Sequence, residues 1–574
     1  MSDPGTFLII VWGTGLVAME RLIRRLLVRP GLVVEVLIAS LMIHLLSLGT
    51  SIYVIQVLNR YVTNGVDSTL VTLTSGVVLA VVLEWILRRL RFRMMDGFTV
   101  RPDAQLAGRG FFQLTGARGG MIDRLGEGGR REAMAAIGPL QQALGRENLL
   151  ALVDFPFALL FVVALFFLNV RIGVAAVFCL SLVLVAATVV QWLLKGPMRR
   201  QNQRNREQMH LLQSVLRAIE ETRVFNAQEM LRRLWGERQT RWNREKALVA
   251  SRQDLLRQVI QTGSALMSVV VVAQGAVLVV GGDMSVGAMI GANILSARAL
   301  AVISRFAQLG GALEQGASAA ESLERLMSLS LESFQGTALN SFTGHLELND
   351  CAFAYPGSHT PLFESLSLRL VPGSLVVVVG DNGAGKTTLA RLLTGHLEPI
   401  RGRILADGLE FRQMALPWWR RQLIYFPQEP VFFDGTLLEN ITINRPDLAP
   451  DRLNMMVDIA GLRRFVNESP DGLQTRLEGG GGYLSLGLRR RIALARGLAS
   501  DGMVAIFDDP LEGLDAPGIA AVRTLIASLK ENRRTVIVMT HDVRPFQELA
   551  DAFLDLNSKP KPLLRRTMPG VGGG

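Results

Sequence analysis

The chain has 574 residues, with 61 Lys and Arg against 50 Asp and Glu, a formal net charge of +11 and two cysteines. Soluble proteins of this size usually score below zero in hydropathy; a mean of +0.30 implies that much of the chain meets lipid, and 19% charged residues are too few for a disordered polyelectrolyte. Two cysteines cannot make a disulfide framework or a four-cysteine zinc site, and Cys179 and Cys351, far apart in unlike surroundings, read as free thiols in a reducing compartment.

Residues 1–30 are expected to form a cytoplasmic or interfacial segment. The apolar stretch 7–18 is too short to span and is followed by Glu20, Arg21, Arg24, Arg25 and Arg29, which predicts an uncleaved helix lying in the interface. A signal peptide would place its basic cluster before the apolar run. Six apolar runs follow, near 32–58, 69–87, 149–168, 171–194, 258–281 and 284–304, each approaching the roughly 20 residues that cross a bilayer. They predict a six-helix membrane bundle over 31–325. The last run carries Ser285, Asn293, Ser296 and Arg298, which suits a helix facing a bundle interior or a wet cavity.

Arg21, Arg24, Arg25 and Arg29, then Arg88, Arg89, Arg91 and Arg93, then Lys195, Arg199 and Arg200 fall in alternate connections. The positive-inside rule puts these, and both termini, in the cytoplasm. Topology and anionic membrane lipids account for the basicity, so no nucleic acid is needed. The two inside connections are about 60 residues long, and 196–256 has the pattern of helices extending beyond the membrane. Glu35, His44, Glu84 and Asp154 lie in or beside spans, where pairing inside the bundle or an interfacial position is favoured over contact with a substrate.

Residues 340–558 read as a separate α/β domain. The run Leu375 to Val379 is a buried-strand pattern leading into Gly380-Asp381-Asn382-Gly383-Ala384-Gly385-Lys386-Thr387-Thr388 and then a helical run. In that context the glycines let backbone N–H groups surround phosphates, Lys386 adds charge and Thr387 offers a hydroxyl to Mg²⁺. A second strand, 503–507, ends in Asp508-Asp509, giving one Mg²⁺ ligand and one group to position an attacking water. A third, 535–539, ends at Thr540-His541, on the edge where ligands gather in open α/β sheets. Residues 559–574, with Lys-Pro pairs and terminal glycines, are expected to be a disordered tail.

With these residues in place the chain resembles an ATP-binding-cassette (ABC) half-exporter: a membrane α-helical bundle fused to an α/β P-loop nucleotide-binding domain. The resemblance implies ATP and Mg²⁺ as ligands. Phe353-Ala354-Tyr355-Pro356 resembles the A-loop, implying that Tyr355 stacks on adenine, and Phe426-Pro427-Gln428 resembles the Q-loop, implying that Gln428 senses Mg²⁺. The stretch Leu484 to Leu488 sits where the signature belongs, with Ser485 and Gly487 as the implied γ-phosphate contacts in trans. Gly513-Leu514-Asp515 resembles the D-loop, and His541 the switch histidine. Two cassettes pair head to tail in this family, so one per chain implies a homodimer or a heterodimer with another half-transporter.

The stretches 51–60, 284–290 and 295–300 resemble bacterial type I secretion subunits. That implies export of polypeptide cargo through the inner membrane to a periplasmic adaptor and an outer-membrane channel. About thirty residues before the first span leave no room for the peptidase-like domain of some relatives, which is expected to be absent.

The departures matter too. Leu486 and Leu488 replace the usual third and fifth signature residues, Gly479 falls where a glutamate is usual with Glu478 one place early, and Asp509 replaces the catalytic glutamate. A water-positioning carboxylate must reach within about 3 Å, so the shorter side chain implies weakened hydrolysis. A homodimer would combine both defects at each site, whereas a heterodimer would give each site one. Alternative readings are an exporter of lipid or small hydrophobic molecules, and a regulatory subunit that binds ATP but barely turns it over.

Overall fold

A computed structural model describes residues 19–65, 67–358, 360–512, 514 and 516–565. The stretch 7–18, Gly513 and Asp515 of the expected D-loop, and residues 566–574 lie outside them. The chain divides into two compact units, one of residues 1–115 and 125–329, the other of 116–124 and 330–574.

The membrane unit is helical: α1 (Pro30–Gln56), α2 (Asp67–Met94), α3 (Asp96–Gly116), α4 (Gly119–Ala135, its start lying in the other unit), α5 (Ile137–Ala143), α6 (Arg146–Asp154), α7 (Ala158–Leu168), α8 (Val170–Arg217), α9 (Gln228–Val280) and α10 (Val286–Met327). Six helical stretches among the described residues are long and apolar enough to cross a membrane. α8 runs on through Pro197, and α8 and α9 continue well past their apolar runs, as the pattern over 196–256 predicts. Phe161, Leu165, Ile172, Ala176, Met267, Val271 and Leu295 form the bundle's core. α10 packs tightly on α1, since a Cβ added at Gly287 would meet Asn59 Oδ1 and the Ile55 carbonyl oxygen at 2.5 and 2.7 Å. Small residues at such crossings let helix backbones approach where lipid supplies no hydrophobic drive.

Two of the four ionisable residues singled out in or beside the spans meet in one buried cluster. Arg91 Nη1 donates to Asp154 Oδ1 at 2.5 Å and to Ser40 Oγ at 2.7 Å. His44 Nε2 lies 3.3 Å from the same carboxylate, its ring stacked on Phe157. Glu84 pairs with Arg88 one turn on, and Glu35 is exposed.

Among the described residues the cassette unit holds two large sheets and a two-stranded pair of β7 (Gly435–Thr436) with β8 (Arg476–Leu477). An antiparallel sheet has the order β2-β1-β4-β5, from β1 (Leu346–Phe353), β2 (Phe363–Leu370), β4 (Arg401–Ala406) and β5 (Leu409–Glu410). The second runs β12-β11-β3-β10-β9-β6, from β3 (Leu375–Val379), β6 (Leu423–Phe426), β9 (Val504–Asp508), β10 (Thr535–Thr540), β11 (Ala552–Asp555) and β12 (Leu563–Arg565). Its strands are parallel except β12, which pairs antiparallel with β11. Residues 563–565 therefore correct the expectation of a structureless tail: exposed, alternation-poor sequence gave no signal, and the strand exists by backbone pairing to an edge.

Side-chain alternation splits the parallel sheet between two cores. Val376 and Val378 face the antiparallel sheet and the helix α11 (Lys386–Leu393), while Leu375 and Val377 face α16 (Ala516–Glu531). A third core, around Phe432, Leu437, Ile441 and Leu462, belongs to the helices α12 (Leu437–Thr442), α13 (Pro450–Ile459), α14 (Arg463–Glu468) and α15 (Leu486–Ala499). Residues 116–118 pair with 330–332 through Arg118 N–H to Ser330 O and Glu332 N–H to Gly116 O. Ion pairs Arg118–Glu398 and His396–Asp123 tie the same segment to the strand-bearing lobe.

Candidate functional site: a phosphate loop and two buried carboxylates

β3 delivers the chain to the loop 380–385, whose tip, Asn382 and Gly383, is exposed. Gly385 takes φ +112°, which L side chains avoid, and a Cβ there would meet Leu362 at 2.8 Å. The loop is braced from behind by Asn557, whose Oδ1 accepts from Asp381 N–H at 2.9 Å. Lys386 opens α11, buried, with Nζ donating to Gly380 O at 2.8 Å. The amino end of α11 adds a partial positive charge at the same place.

β9 pairs in parallel with β10 and ends in Asp508, which is fully buried. Neither of its oxygens has a hydrogen bond of ordinary geometry. Burial and the neighbouring Asp509 push its carboxyl above the usual carboxylate range, against the opposing pull of Thr387, Lys386 and Arg391. An acid buried with two open oxygens beside a hydroxyl is a donor set that fits a hard divalent cation; Asp508 and Thr387 are the residues that would hold Mg²⁺.

Asp509 leaves the strand with φ +46°, in the left-handed region that Asp tolerates better than most residues. Its N–H donates to Met539 O at 2.9 Å. One carboxylate oxygen lies 3.5 Å from His541 Nδ1 and the other 4.0 Å from Lys386 Nζ. Two strand ends and the phosphate loop thus converge on this side chain, which stands between a cation and an imidazole.

Tyr355 presents a half-exposed ring packed edge-on against Phe353, and its hydroxyl is 2.8 Å from Thr388 Oγ1. Lys386, Thr387, Thr388, Tyr355, Asp508, Asp509 and His541 therefore form one connected group with the loop glycines Gly380, Gly383 and Gly385. Gln428 does not join it directly: its Nε2 points to Glu512 Oε2 at 3.5 Å. Ser485 and Gly487 also stand apart, with no hydrogen bond or ion pair to the phosphate loop among the described residues. Ser485 caps α15, accepting from Leu488 N–H at 3.3 Å. Leu486 is exposed, while Leu488 packs on the helical core; Glu478 is exposed.

Sequence reasoning missed the link behind Gln428. Arg490 is buried, donating to the Gln428 carbonyl at 3.4 Å and to Glu512 at 3.1 Å. In the run Arg489-Arg490-Arg491 nothing but helical phase marks which guanidinium turns inward. Tyr425 on β6 was also missed; burial first, then the charge of Asp508, pushes its phenol up to about 12.

Known proteins carry the same two parts. The ABC transporter transmembrane region model matches residues 33–300, and the ABC transporter model matches 363–512. The exotoxin translocation ATP-binding protein PaxB of Pasteurella aerogenes is 24% identical over 509 residues, 88% of this chain and 71% of that protein. The alpha-hemolysin translocation ATP-binding protein HlyB of Escherichia coli is 23% identical, with shares of 88% and 72%. A bacterial Atm1-family ABC exporter with ATP bound has the same fold, with a TM-score of 0.81 at 20% identity over 92% of this chain and 93% of that one. The chain thus belongs to the ABC transporters, as a multi-pass half-transporter with one ATP-binding cassette, related to toxin translocation ATP-binding proteins.

Proposed function

We propose that this chain is one half of an ATP-driven exporter that moves polypeptide across the bacterial inner membrane, with both termini in the cytoplasm, by type I secretion. The observation that carries the ATP reading is the buried Asp508 beside Thr387, with neither oxygen holding a hydrogen bond of ordinary geometry. Relatives named for toxin translocation support the cargo class. A periplasmic adaptor, an outer-membrane channel and the surrounding lipid are the expected partners.

Tyr355 offers its ring to adenine, and the loop N–H groups with Lys386 hold the phosphates. Thr387 and Asp508 would hold Mg²⁺, with Gln428 as a further expected contact, and the bound ion would supply charge neutralisation on the phosphate oxygens. Asp509, braced by His541, accepts a hydrogen bond from water and orients it. Ser485 and Gly487 stand apart from their own chain's loop, and Asp515 lies outside the described residues; these three act across a dimer, facing the other subunit's nucleotide. In a homodimer both sites combine Asp509 with the leucine-bearing signature; in a heterodimer each site carries one departure, which is the arrangement we favour.

A second reading, a subunit that binds ATP and hardly hydrolyses it, rests on the short reach of Asp509 and on exposed Leu486 in the signature. Steady-state ATPase of the chain alone in nanodiscs, beside Lys386→Ala and Asp509→Glu, separates the two. Hydrolysis lost in Lys386→Ala establishes a homodimeric motor. ATP binding without hydrolysis, unrelieved by a catalytic partner subunit, establishes the second reading. Cargo stimulation by lipid instead of peptide would replace polypeptide with a small hydrophobic substrate.

A further inference from the structure

The membrane unit carries a second charged cluster, and its charges do not balance. Arg298 of α10 donates to Thr50 Oγ1 of α1 at 2.6 Å. The charged groups facing it are Glu84 and Arg88, both on α2. Glu84 is already engaged, accepting from Arg88 Nε at 2.8 Å and from Nη2 at 2.5 Å. Among the described residues no carboxylate lies within ion-pair distance of Arg298. Three spans thus bring together two guanidinium groups and one carboxylate, an excess of one positive charge.

An unpaired guanidinium among apolar helices is costly and calls for a counter-ion. Arg298 is only partly buried, and the Arg88 side chain is 40% exposed, so the cluster is open to a ligand. Arg298 lies twelve residues beyond the start of α10 at Val286, ~18 Å along the helix, and Thr50 lies eleven residues before Tyr61, ~16 Å, at 1.5 Å per residue. Both positions fall within a hydrocarbon layer about 30 Å thick, while Arg88, ~32 Å along α2 from Asp67, reaches its cytoplasmic edge.

We propose that Arg298, with the Thr50 hydroxyl beside it, is a binding site for a carboxylate of the exported polypeptide, an Asp or Glu side chain or a chain terminus, as it passes through the bundle. The planar guanidinium takes a carboxylate through two parallel hydrogen bonds, and Glu84 limits affinity so that the cargo is released. The proposal rests on the polypeptide-export reading.

The test uses the full chain in zwitterionic nanodiscs and two fluorescent unstructured peptides, one rich in Asp and its Asn counterpart, with binding followed by anisotropy. ATP-analogue binding and monodispersity establish folding. The wild type is expected to bind the Asp peptide at least about tenfold more tightly than the Asn peptide, consistent with one charge-assisted pair. Arg298→Gln should bring that ratio to about one, Arg298→Lys should retain part of it, and Glu84→Gln should raise it. An unchanged ratio in Arg298→Gln, with both peptides still bound, overturns the site and leaves polypeptide export standing. Failure of both peptides to bind any variant overturns the export reading and the site with it. Loss of the preference when the discs contain phosphatidylglycerol assigns the site to lipid and also overturns the proposal.

Discussion

Asp154 in the membrane unit and Asp508 in the cassette are both carboxylates in apolar surroundings, 3% and 0% exposed. Asp154 is answered within the fold: Arg91 donates to both of its oxygens and His44 stands beside it. Asp508 is answered by no hydrogen bond of ordinary geometry. A buried charge with its partners in place holds a fold together, whereas a buried charge without them is held ready for something that arrives later.

Substitutions that remove the charge separate the two most sharply. Asp508→Asn is expected to cut Mg²⁺-dependent ATP hydrolysis by roughly 10²–10³-fold, the scale of losing one electrostatic group from a transition state. Its thermal stability should stay level or rise, since an unsatisfied charge has gone. Asp154→Ala should do the reverse, destabilising the membrane unit by about 3–5 kcal/mol because Arg91 is left charged and alone. The denaturation temperature in detergent reads that loss, with ATP-analogue binding unchanged. Replacing the pair together, Arg91→Met with Asp154→Leu, should recover most of it; a double variant as unstable as the single one would show that the cluster does more than neutralise itself.

Asp509 sharpens the comparison within the cassette, being buried but flanked by His541 and Lys386. Asp509→Glu is expected to raise steady-state hydrolysis about tenfold, a modest part of what a well-placed base supplies. No change would show that the length of this side chain does not limit turnover.

The smallest effect belongs to Asp501, a structural acid like Asp154 but at the cassette surface. Burial acts to raise its pKa, yet hydrogen bonds from Arg534 and Arg452 outweigh that and hold it below the usual carboxylate range. A lowered folded-state pKa contributes stability that is present above the unfolded value and lost as pH falls through the folded one. Asp501→Asn should therefore cost about 1 kcal/mol at neutral pH, and the gap from wild type, read by denaturant melts, should close on acidification.

The parts legible in the sequence were those written locally. The phosphate loop needs a strand, glycines and a helix in one continuous stretch, and 375–393 has them in order. The six spans are runs of composition, and the long extensions of α8 and α9 carry their own helical period. What escaped depends on partners distant in sequence. Tyr355 meeting Thr388, Asn557 behind Asp381, and Arg490 between Gln428 and Glu512 join residues 22 to 176 positions apart. The ionisable residues of the spans were visible, but which of them met was not: His44 and Asp154 share a cluster with Arg91, while Arg298 was seen only as a polar mark on the least apolar run.

Residues 116–124 group with the cassette although their neighbours on both sides, 115 and 125, group with the membrane helices. The backbone consequently passes between the two units three times, at 115–116, 124–125 and 329–330. A protease that nicks only the last of these would not free the cassette as a clean fragment, because nine residues that group with it, four of them buried, would stay behind on another piece of chain. A recombinant cassette started at residue 330 would likewise lack the partners of Ser330, Glu332 and His396. Cassette and membrane unit are thus interleaved along the sequence and not joined by a single connection.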